Sequence, residues 1–521
     1  PLVCPACGGA RLRPEARAVK IGAVSLPEVM ATPAVEAVEV LRGLRPKGPG
    51  SQRAAEITGE AASRVEALNR LGLGYLTLDR RAGTLSSGEA QRVRLAALLG
   101  SPLAGACYVL DEPTVGLHPS DVGRMVAALR SMTRRGCTVV VVEHDEETIR
   151  ACDHVLDLGP GAGKLGGKVV AQGGLSAIEK AKKSVTGKAL KKAEAKRRQR
   201  RRGGNKVTKK TVDAQSGERG AIPKLTLKGA QRHNLQEVDV SFKMGALNAV
   251  TGVSGSGKSS LVVVVLAQAV SARTGKKGSQ DLAWAREVSW DSPLEGVKIV
   301  TSAPIGHTTR SVPATYLGVF TPIRQLMAGR PEARVKGLRA SHFSFNVAGG
   351  RCEACGGQGA VKVEMKFLPD VLVPCDECEG RRYKSEVLDV RYRGYDISAI
   401  LDLSVEEAAE LFSGVSKVRR PLELLVELGL GYLPLGQPSP TLSGGEAQRL
   451  RLASEISQTS ARRAPRLYLL DEPTTGLHMA DVERLNDSLR RLADEGHTVV
   501  VIEHNLDVIS ACHHVVDLGP G

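Results

Sequence analysis

The chain repeats itself, and that repeat limits what it can fold into more than any compositional figure does. TLSSGEAQRVRLA (84–96) returns as TLSGGEAQRLRLA (441–453), and YVLDEPTVGLHPSDV (108–122) returns as YLLDEPTTGLHMADV (468–482). TVVVVEHDEETIRACDHVLDLGPG (138–161) matches TVVVIEHNLDVISACHHVVDLGPG (498–521). Upstream, CPACGGARLRPEARAVKIG (4–22) and LNRLGLGYLTL (68–78) find counterparts at CDECEGRRYKSEVLDVRYRG (375–394) and LVELGLGYLPL (425–435), in the same order. Ordered self-similarity of this extent means two copies of one unit. Three segments are expected: a first copy over 1–178, a linker over 179–215, and a second copy over 216–521. Copy one lacks what precedes residue 375 in copy two, and copy two stops where copy one continues through AGKLGGKVVAQG (162–173). Truncation at both ends is the expectation.

The formal charge of +16 invites a nucleic-acid reading until it is located. Residues 179–210 hold 15 Lys/Arg against Glu179 and Glu194, so one segment accounts for most of the excess. Its apolar content is too low to offset the entropy of ordering, and it reads as a disordered, solvated tether. A non-specific DNA or RNA contact is the alternative. No run approaches the roughly 18 apolar residues of a membrane span. Residues 1–20 carry no apolar signal core, which makes a reducing cytoplasm the expected compartment. The ten cysteines then need explanation without disulfides. Cys107, Cys137, Cys152 and Cys512 sit singly in apolar contexts and read as core packing. With aromatics at 3%, the cores are built mainly from Val, Leu, Ala and Ile.

TGVSGSGKSSL (251–261) fits G-x-x-x-x-G-K-[ST] between an apolar strand and an apolar helix, the context a phosphate-binding loop requires. Gly252, Ser254, Gly255 and Gly257 would turn backbone N–H groups around phosphates. Lys258 would reach the outer phosphates, Ser259 would ligate Mg2+, and Ser260 would open the helix. Each copy has an apolar strand ending in Asp-Glu. Asp471, and Asp111 in copy one, suit the metal; Glu472 and Glu112 suit the attacking water. His504 and His144 end a second apolar strand, from which an imidazole could reach the γ-phosphate; read alone, each is also an ordinary strand-end histidine. The turns Ser443-Gly444-Gly445 and Ser86-Ser87-Gly88 open helices, where hydroxyl and amide groups favour an anion.

With that last motif the chain resembles the ABC ATPases. The resemblance implies an α/β fold with tandem P-loop halves packed head to tail, each ATP lying between the P-loop of one half and the Ser-Gly turn of the other. Carried over, the loop at 252–259 with Asp471, Glu472 and His504 would face Ser86, Ser87 and Gly88. Ser443, Gly444 and Gly445 would serve a site that includes Asp111, Glu112 and His144 but has no P-loop in this sequence. Ser87 stands where the family usually has Gly, which implies a weaker site.

Cys352 and Cys355, then 19 residues, then Cys375 and Cys378 have the spacing of a tetrahedral Zn2+ site with all four positions filled by protein. Free thiols or a redox disulfide are the alternatives. Cys4 and Cys7 are half of an equivalent set. A four-cysteine module, placed at about 345–385 between P-loop and signature turn, is unusual for transport ATPases. Together with PATYLGVFTPIR, FSFNVAGGRCEACGGQG and VPCDECEG, it makes the chain resemble the UvrA family.

That resemblance implies a cytoplasmic, dimeric ATPase, using ATP, Mg2+ and Zn2+, that scans double-stranded DNA for damage in nucleotide excision repair and loads a UvrB-type partner. Ser302 stands where the family has Gln, which implies slow turnover. The family's UvrB-docking domain lies upstream of the region where this chain begins, and the basic linker is longer than the family leads one to expect. Lys362, Lys366, Arg381, Arg382 and Lys384, around the cysteines, are the candidate phosphate contacts; ordinary exposed charge is the alternative reading. A UvrA-like paralogue for resistance to DNA-binding drugs and a membrane-transporter ATPase subunit are the competing functions.

Overall fold

The computed structural model describes residues 4–21, 23–45, 47–85, 87–100, 104–159, 161, 166–202, 222–275, 282–301, 305–306, 308–363, 371–458, 464–479 and 481–519. At 21, 87, 196, 197, 199–202, 362, 372 and 458 it describes the backbone alone. The chain divides into two compact units, Pro1–Asp153 and His154–Gly521.

In the first unit, helices α1 (Ala34–Gly43), α2 (Ser51–Arg70) and α3 (Ser87–Leu99) precede strand β1 (Cys107–Asp111), helix α4 (Pro119–Arg134) and strand β2 (Thr138–Val142). β1 and β2 pair in parallel from Cys107↔Thr138 to Asp111↔Val142, with α4 as the crossover. α4 starts at a Pro in its first turn, where a missing N–H costs nothing, and His118 caps it by accepting from the Ser120 N–H at 3.2 Å. Its buried residues Val122, Met125, Leu129 and Met132 recur at helical spacing and pack with Leu71, Leu95 and Cys137. The opposite face of the strand pair carries exposed Val109, Val140 and Val142.

The second unit opens with β3 (Val155–Gly159), antiparallel to β4 (Lys168–Gly173), and then helix α5 (Val185–Arg202). α5 corrects the expectation of a disordered linker over 179–215. Ser184 accepts the Gly187 N–H at 2.7 Å and donates to Asp157 Oδ2 at 2.6 Å, and the Thr186 hydroxyl donates to Asp157 Oδ1 at 2.8 Å. Leu190 and Ile178 are fully buried. Gly187 fits so closely over the Ile178 carbonyl that a Cβ would lie 2.2 Å from its oxygen. These anchors order the segment although its charge count argues otherwise; residues 203–215 lie outside the described residues.

The remaining strands are β5 (Lys224–Ala230), β6 (Val238–Lys243), β7 (Leu247–Thr251), β8 (Glu287–Trp290), β9 (Val297–Val300), β10 (Ala360–Val363), β11 (Val371–Pro374), β12 (Leu467–Asp471), β13 (Thr498–Ile502) and β14 (His514–Asp517). The central sheet is parallel throughout, in the order β9-β12-β13-β7-β14. A smaller antiparallel sheet runs β8-β5-β6. Leu467, Leu469, Val500 and Ile502 pack into one apolar cluster; Tyr468, Leu470, Val499 and Val501, between them in sequence, pack into another. Both faces of the sheet are therefore covered, which is why its strands read as unbroken apolar runs. The π-helical stretch Ser260–Leu266 continues as α6 (Ala267–Thr274) beneath one face. Helix α7 (Gly444–Gln458) carries the second signature turn, and α8 (Val482–Asp494) buries Val482, Leu485, Leu489 and Leu492 against the other face.

Gly187→Ala should push α5 off the Ile178 carbonyl. The expected outcome is faster limited proteolysis within 185–202 with the rest of the second unit still protected; an unchanged digestion pattern would count against this anchoring.

Candidate functional site

The P-loop, the Asp471-Glu472 pair and His504 of copy two lie at the carboxyl ends of the adjacent parallel strands β7, β12 and β13, where ligands bind in open α/β sheets. β7 delivers the loop 252–258. Gly252 (φ 139°) and Gly257 (φ 99°) take conformations that suit glycine, and a Cβ on Gly252 would lie 1.8 Å from the Leu518 carbonyl oxygen. Lys258 is buried and donates to the carbonyls of Gly252 at 3.0 Å and Val253 at 2.8 Å. The hydroxyls of Ser254 and Ser256 are buried without a partner among the described residues. Buried hydroxyls seldom go unpaired, so these fit a ligand with several acceptor oxygens.

Ser259 Oγ lies 3.4 and 3.3 Å from the two carboxylate oxygens of Asp471. Neighbouring oxygens around an octahedral Mg2+ lie about 2.9 Å apart, so this donor set fits the ion after a small closure. Burial raises the Asp471 carboxyl above its ordinary value, opposed by the Ser259 hydrogen bond and by Lys258. Glu472 is pushed up to about 8, chiefly by burial and then by the charges of Asp471 and Glu503. His504 Nε2 is 4.0 Å from Glu472 Oε1. Copy one repeats the pair, with His144 Nε2 3.6 Å from Glu112 Oε1.

Sequence reading missed the residue that holds these groups in place. Glu503 is buried, and its Oε1 accepts the Thr474 N–H at 2.9 Å while Oε2 accepts those of His504 at 2.9 Å and Asn505 at 3.1 Å. Glu143 makes the same three bonds, to Thr114, His144 and Asp145. Gln448 of α7 donates to the Asp471 carbonyl at 2.8 Å, and Gln91 of α3 donates to the Glu112 carbonyl at 2.8 Å. Glu143, Glu503, Gln91 and Gln448 are identical between the copies, and that identity was the available signal.

Ser443 and Glu446 form a capping box at the start of α7: the Ser443 N–H donates to Glu446 Oε2 at 2.8 Å, and the Glu446 N–H donates to Ser443 Oγ at 3.2 Å. A Cβ on Gly445 would lie 2.2 Å from the Thr475 carbonyl oxygen, and one on Gly88 would lie 3.1 Å from that of Gly116. Each signature turn is thus packed against the loop that follows its own Asp-Glu pair. Ser86, the Ser87 side chain and Ser302 lie outside the described residues, as do Lys366 and the Lys362 side chain.

Cys352, Cys355, Cys375 and Cys378 converge, all buried, with their sulfurs within 4.8 Å of one another. Cys352 and Cys375 are 3.9 Å apart and Cys355 and Cys378 are 3.7 Å apart. Sulfurs about 2.3 Å from a tetrahedral ion lie about 3.8 Å apart, whereas a disulfide needs about 2.05 Å. The geometry fits a metal and not a cystine. The turns are shaped for it: the Gly359 N–H donates to Cys355 Sγ at 3.2 Å, and Gly357 (φ 81°) lies where a Cβ would meet the Phe345 carbonyl oxygen at 2.0 Å. β10 and β11 connect the two cysteine pairs as an antiparallel hairpin. The scarce aromatics gather beneath it, with Phe345 5.2 Å from Phe320 and 6.4 Å from Tyr383 between ring centroids.

Of the candidate phosphate contacts, Arg381 and Lys384 are exposed. Arg382 turns inward: it donates to the Gly436 carbonyl at 2.9 Å, and its guanidinium lies 5.3 Å from the Phe345 ring centroid. Its geometry is that of a structural tie. On the hairpin, Val361, Val363, Val371 and Val373 are exposed, paired across the strands as Val361↔Val373 and Val363↔Val371.

No protein-family model matches the chain. It is 49% identical over 521 residues to UvrABC system protein A of Thermus thermophilus, covering 99% of this chain and 53% of that protein. It is 48% identical over 517 residues to UvrABC system protein A of Methanothermobacter thermautotrophicus, covering 99% of this chain and 52% of that protein. The crystal structure of UvrA2 from Deinococcus radiodurans superposes with a TM-score of 0.85 at 42% identity, over 99% of this chain and 62% of that one. The chain thus spans about half the length of the curated relatives it matches.

Two outcomes are expected. Cys375→Ser should lose the bound metal, read as a fall in metal per chain by elemental analysis, while ATP affinity changes little; undiminished metal content contradicts the ligand set. Without nucleotide and Mg2+, the raised Glu472 pKa means the folded state holds a proton that the unfolded state releases between about pH 4.5 and 8. Its burial therefore costs stability progressively as pH rises through that window. Glu472→Gln should raise Tm by a few degrees at pH 8.5 and hardly at pH 5; an equal shift at both pH values would refute the assignment.

Proposed function

The chain belongs to the UvrA family, and on that premise we propose that it binds and hydrolyses ATP at the P-loop of its second copy and couples this to recognition of damaged duplex DNA in nucleotide excision repair. One observation carries the ATPase reading: within one half, a glycine-rich loop whose buried hydroxyls have no partner among the described residues, a Ser–Asp pair at metal-sharing distance and a Glu–His pair all meet at the carboxyl ends of adjacent strands. Lys258 and the loop amides would hold the phosphates. Ser259 and Asp471 would hold Mg2+, which supplies charge neutralisation on the phosphate oxygens. Glu472 would orient the attacking water and accept its proton, and His504 would sense the terminal phosphate. The turns at Ser86-Ser87-Gly88 and Ser443-Gly444-Gly445 are assigned to nucleotide phosphates from their family position, and Asp111, Glu112 and His144 to the equivalent roles in copy one.

The four cysteines would hold a structural Zn2+, which fixes the base of the β10–β11 hairpin. Arg381 and Lys384, with Lys362 and Lys366 assigned from sequence, would contact phosphates without reading bases. The exposed valines would lie against a distorted groove, where apolar side chains exploit weakened stacking. Lesions share deformability and not a base code, so contacts of this kind suit damage recognition. Pairing with a second copy and with a UvrB-type partner is proposed from the family. Among the described residues no helix is long and apolar enough to cross a membrane.

The test is binding to a lesion-bearing duplex and its intact twin, with and without ATP, at two salt concentrations. Preference for the lesion, responsive to ATP and weaker at high salt, is expected, and Lys258→Ala should abolish the ATP response. Equal affinity for both duplexes in every condition would overturn the DNA reading.

A further inference from the structure

The loop 231–237 between β5 and β6 belongs to no nucleotide motif, yet it folds onto the phosphate loop. His233 (φ 54°) and Glu237 (φ 49°) both take left-handed backbone conformations there. Such a conformation is strained for a non-glycine residue and persists only where its surroundings hold it. The surroundings do hold it. The Gln231 N–H donates to the Trp284 carbonyl at 2.9 Å, and the Arg232 guanidinium lies 4.3 Å from the centroid of the Trp284 ring. Leu235 is buried in the core. The Asn234 amide donates to the Gly255 carbonyl at 2.8 Å. A Cβ on Gly257 would lie 3.0 Å from both Asn234 Oδ1 and Leu235 Cδ2, so the two loops are in contact and glycine is needed between them.

At the tip, His233 Nδ1 lies 3.0 Å from Ser260 Oγ, and the residue is otherwise exposed. Ser260 is the hydroxyl after the Mg2+ candidate Ser259, at the opening of the helix that follows the loop. Lys258 and Ser259 are assigned to the outer phosphates and the metal, which leaves the Ser260 position to the inner phosphate. An imidazole whose Nδ1 accepts from the Ser260 hydroxyl carries its hydrogen on Nε2, as a donor.

We propose that this loop is a wall of the nucleotide site: His233 donates from Nε2 to the α-phosphate of a bound nucleoside di- or triphosphate, and Asn234 is a positioning residue that sets the Gly255 turn. The proposal rests on the P-loop reading above and adds a ligand contact from outside the motif. It is tested on the full chain by calorimetric titration with Mg2+-ADP, comparing His233→Ala, His233→Gln and Lys258→Ala with the parent, with Tm recorded for each. A hydrogen bond to a charged oxygen is worth on the order of tenfold in affinity. His233→Ala should therefore weaken ADP binding by about that factor at unchanged Tm, and His233→Gln, which restores a donor, should recover most of the loss. The 15N resonance of His233 Nε2 should also shift when Mg2+-ADP is added. Parent-like affinity of His233→Ala, or a loss that Gln does not repair, overturns the proposal while leaving the P-loop intact. Parent-like affinity of Lys258→Ala overturns the P-loop reading itself.

Discussion

One buried carboxylate organises the candidate site at the ends of the central strands. Glu503 accepts three backbone N–H groups, from Thr474 on one side and His504 and Asn505 on the other, and so ties the loop after β12 to the end of β13. Burial raises its pKa, and the three hydrogen bonds oppose that rise. The tie has a visible consequence in Glu472, held at φ 49° in the left-handed region. A carboxylate there would relax without restraint, because a non-glycine residue gains about 1–2 kcal/mol by leaving that region. The loop fixed by Glu503 supplies the restraint, and Glu472 stays beside Asp471 and His504. The same carboxylate, at Glu143, accompanies Glu112 at φ 43° in the first copy. Duplication has preserved a geometry, and the sequence likeness follows from it.

Around this clamp the site is assembled from parts with separate supports. Gln448 ties the signature helix to the end of β12, and Arg451 ties it to Thr301 at the end of β9, both from within the same half. The signature helix and the strand ends that carry the Asp471-Glu472 pair are therefore held together within one half. The cysteine cluster stands on an aromatic base, with the Tyr383 hydroxyl donating to the Phe343 carbonyl at 3.1 Å, and that base shares the apolar cluster covering one face of the central sheet.

Much of this was legible in the sequence because motif chemistry is local. The P-loop, the Asp-Glu strand ends and the cysteine spacing each need neighbours a few residues apart, and the internal repeat presents the Asp-Glu strand ends twice. The rest depends on partners that sequence distance hides. Glu503 reads as the polar end of an apolar strand, since its partners are backbone amides and the one that ties it to the rest of the site, Thr474, lies on the loop after β12. Arg382 reads as a candidate phosphate contact or exposed charge in a basic run, although its guanidinium is turned onto Phe345 and Gly436. The segment 185–202 reads as a tether because of its charge, while its order comes from Ser184 and Thr186 meeting Asp157, Gly187 seated on the Ile178 carbonyl and Leu190 buried. In each case composition described the surface, and a few specific contacts decided the structure.

The central claim is that the strand-end carboxylates clamped by Glu503 face a triphosphate on the loop at 252–259. A crystal structure with Mg2+ and a non-hydrolysable ATP analogue tests it most directly. The account requires the ion between Ser259 Oγ and Asp471, the phosphates against the hydroxyls of Ser254 and Ser256, and the terminal phosphate facing Glu472. Density for the analogue elsewhere, or an ion that avoids the Ser259–Asp471 pair, would contradict it.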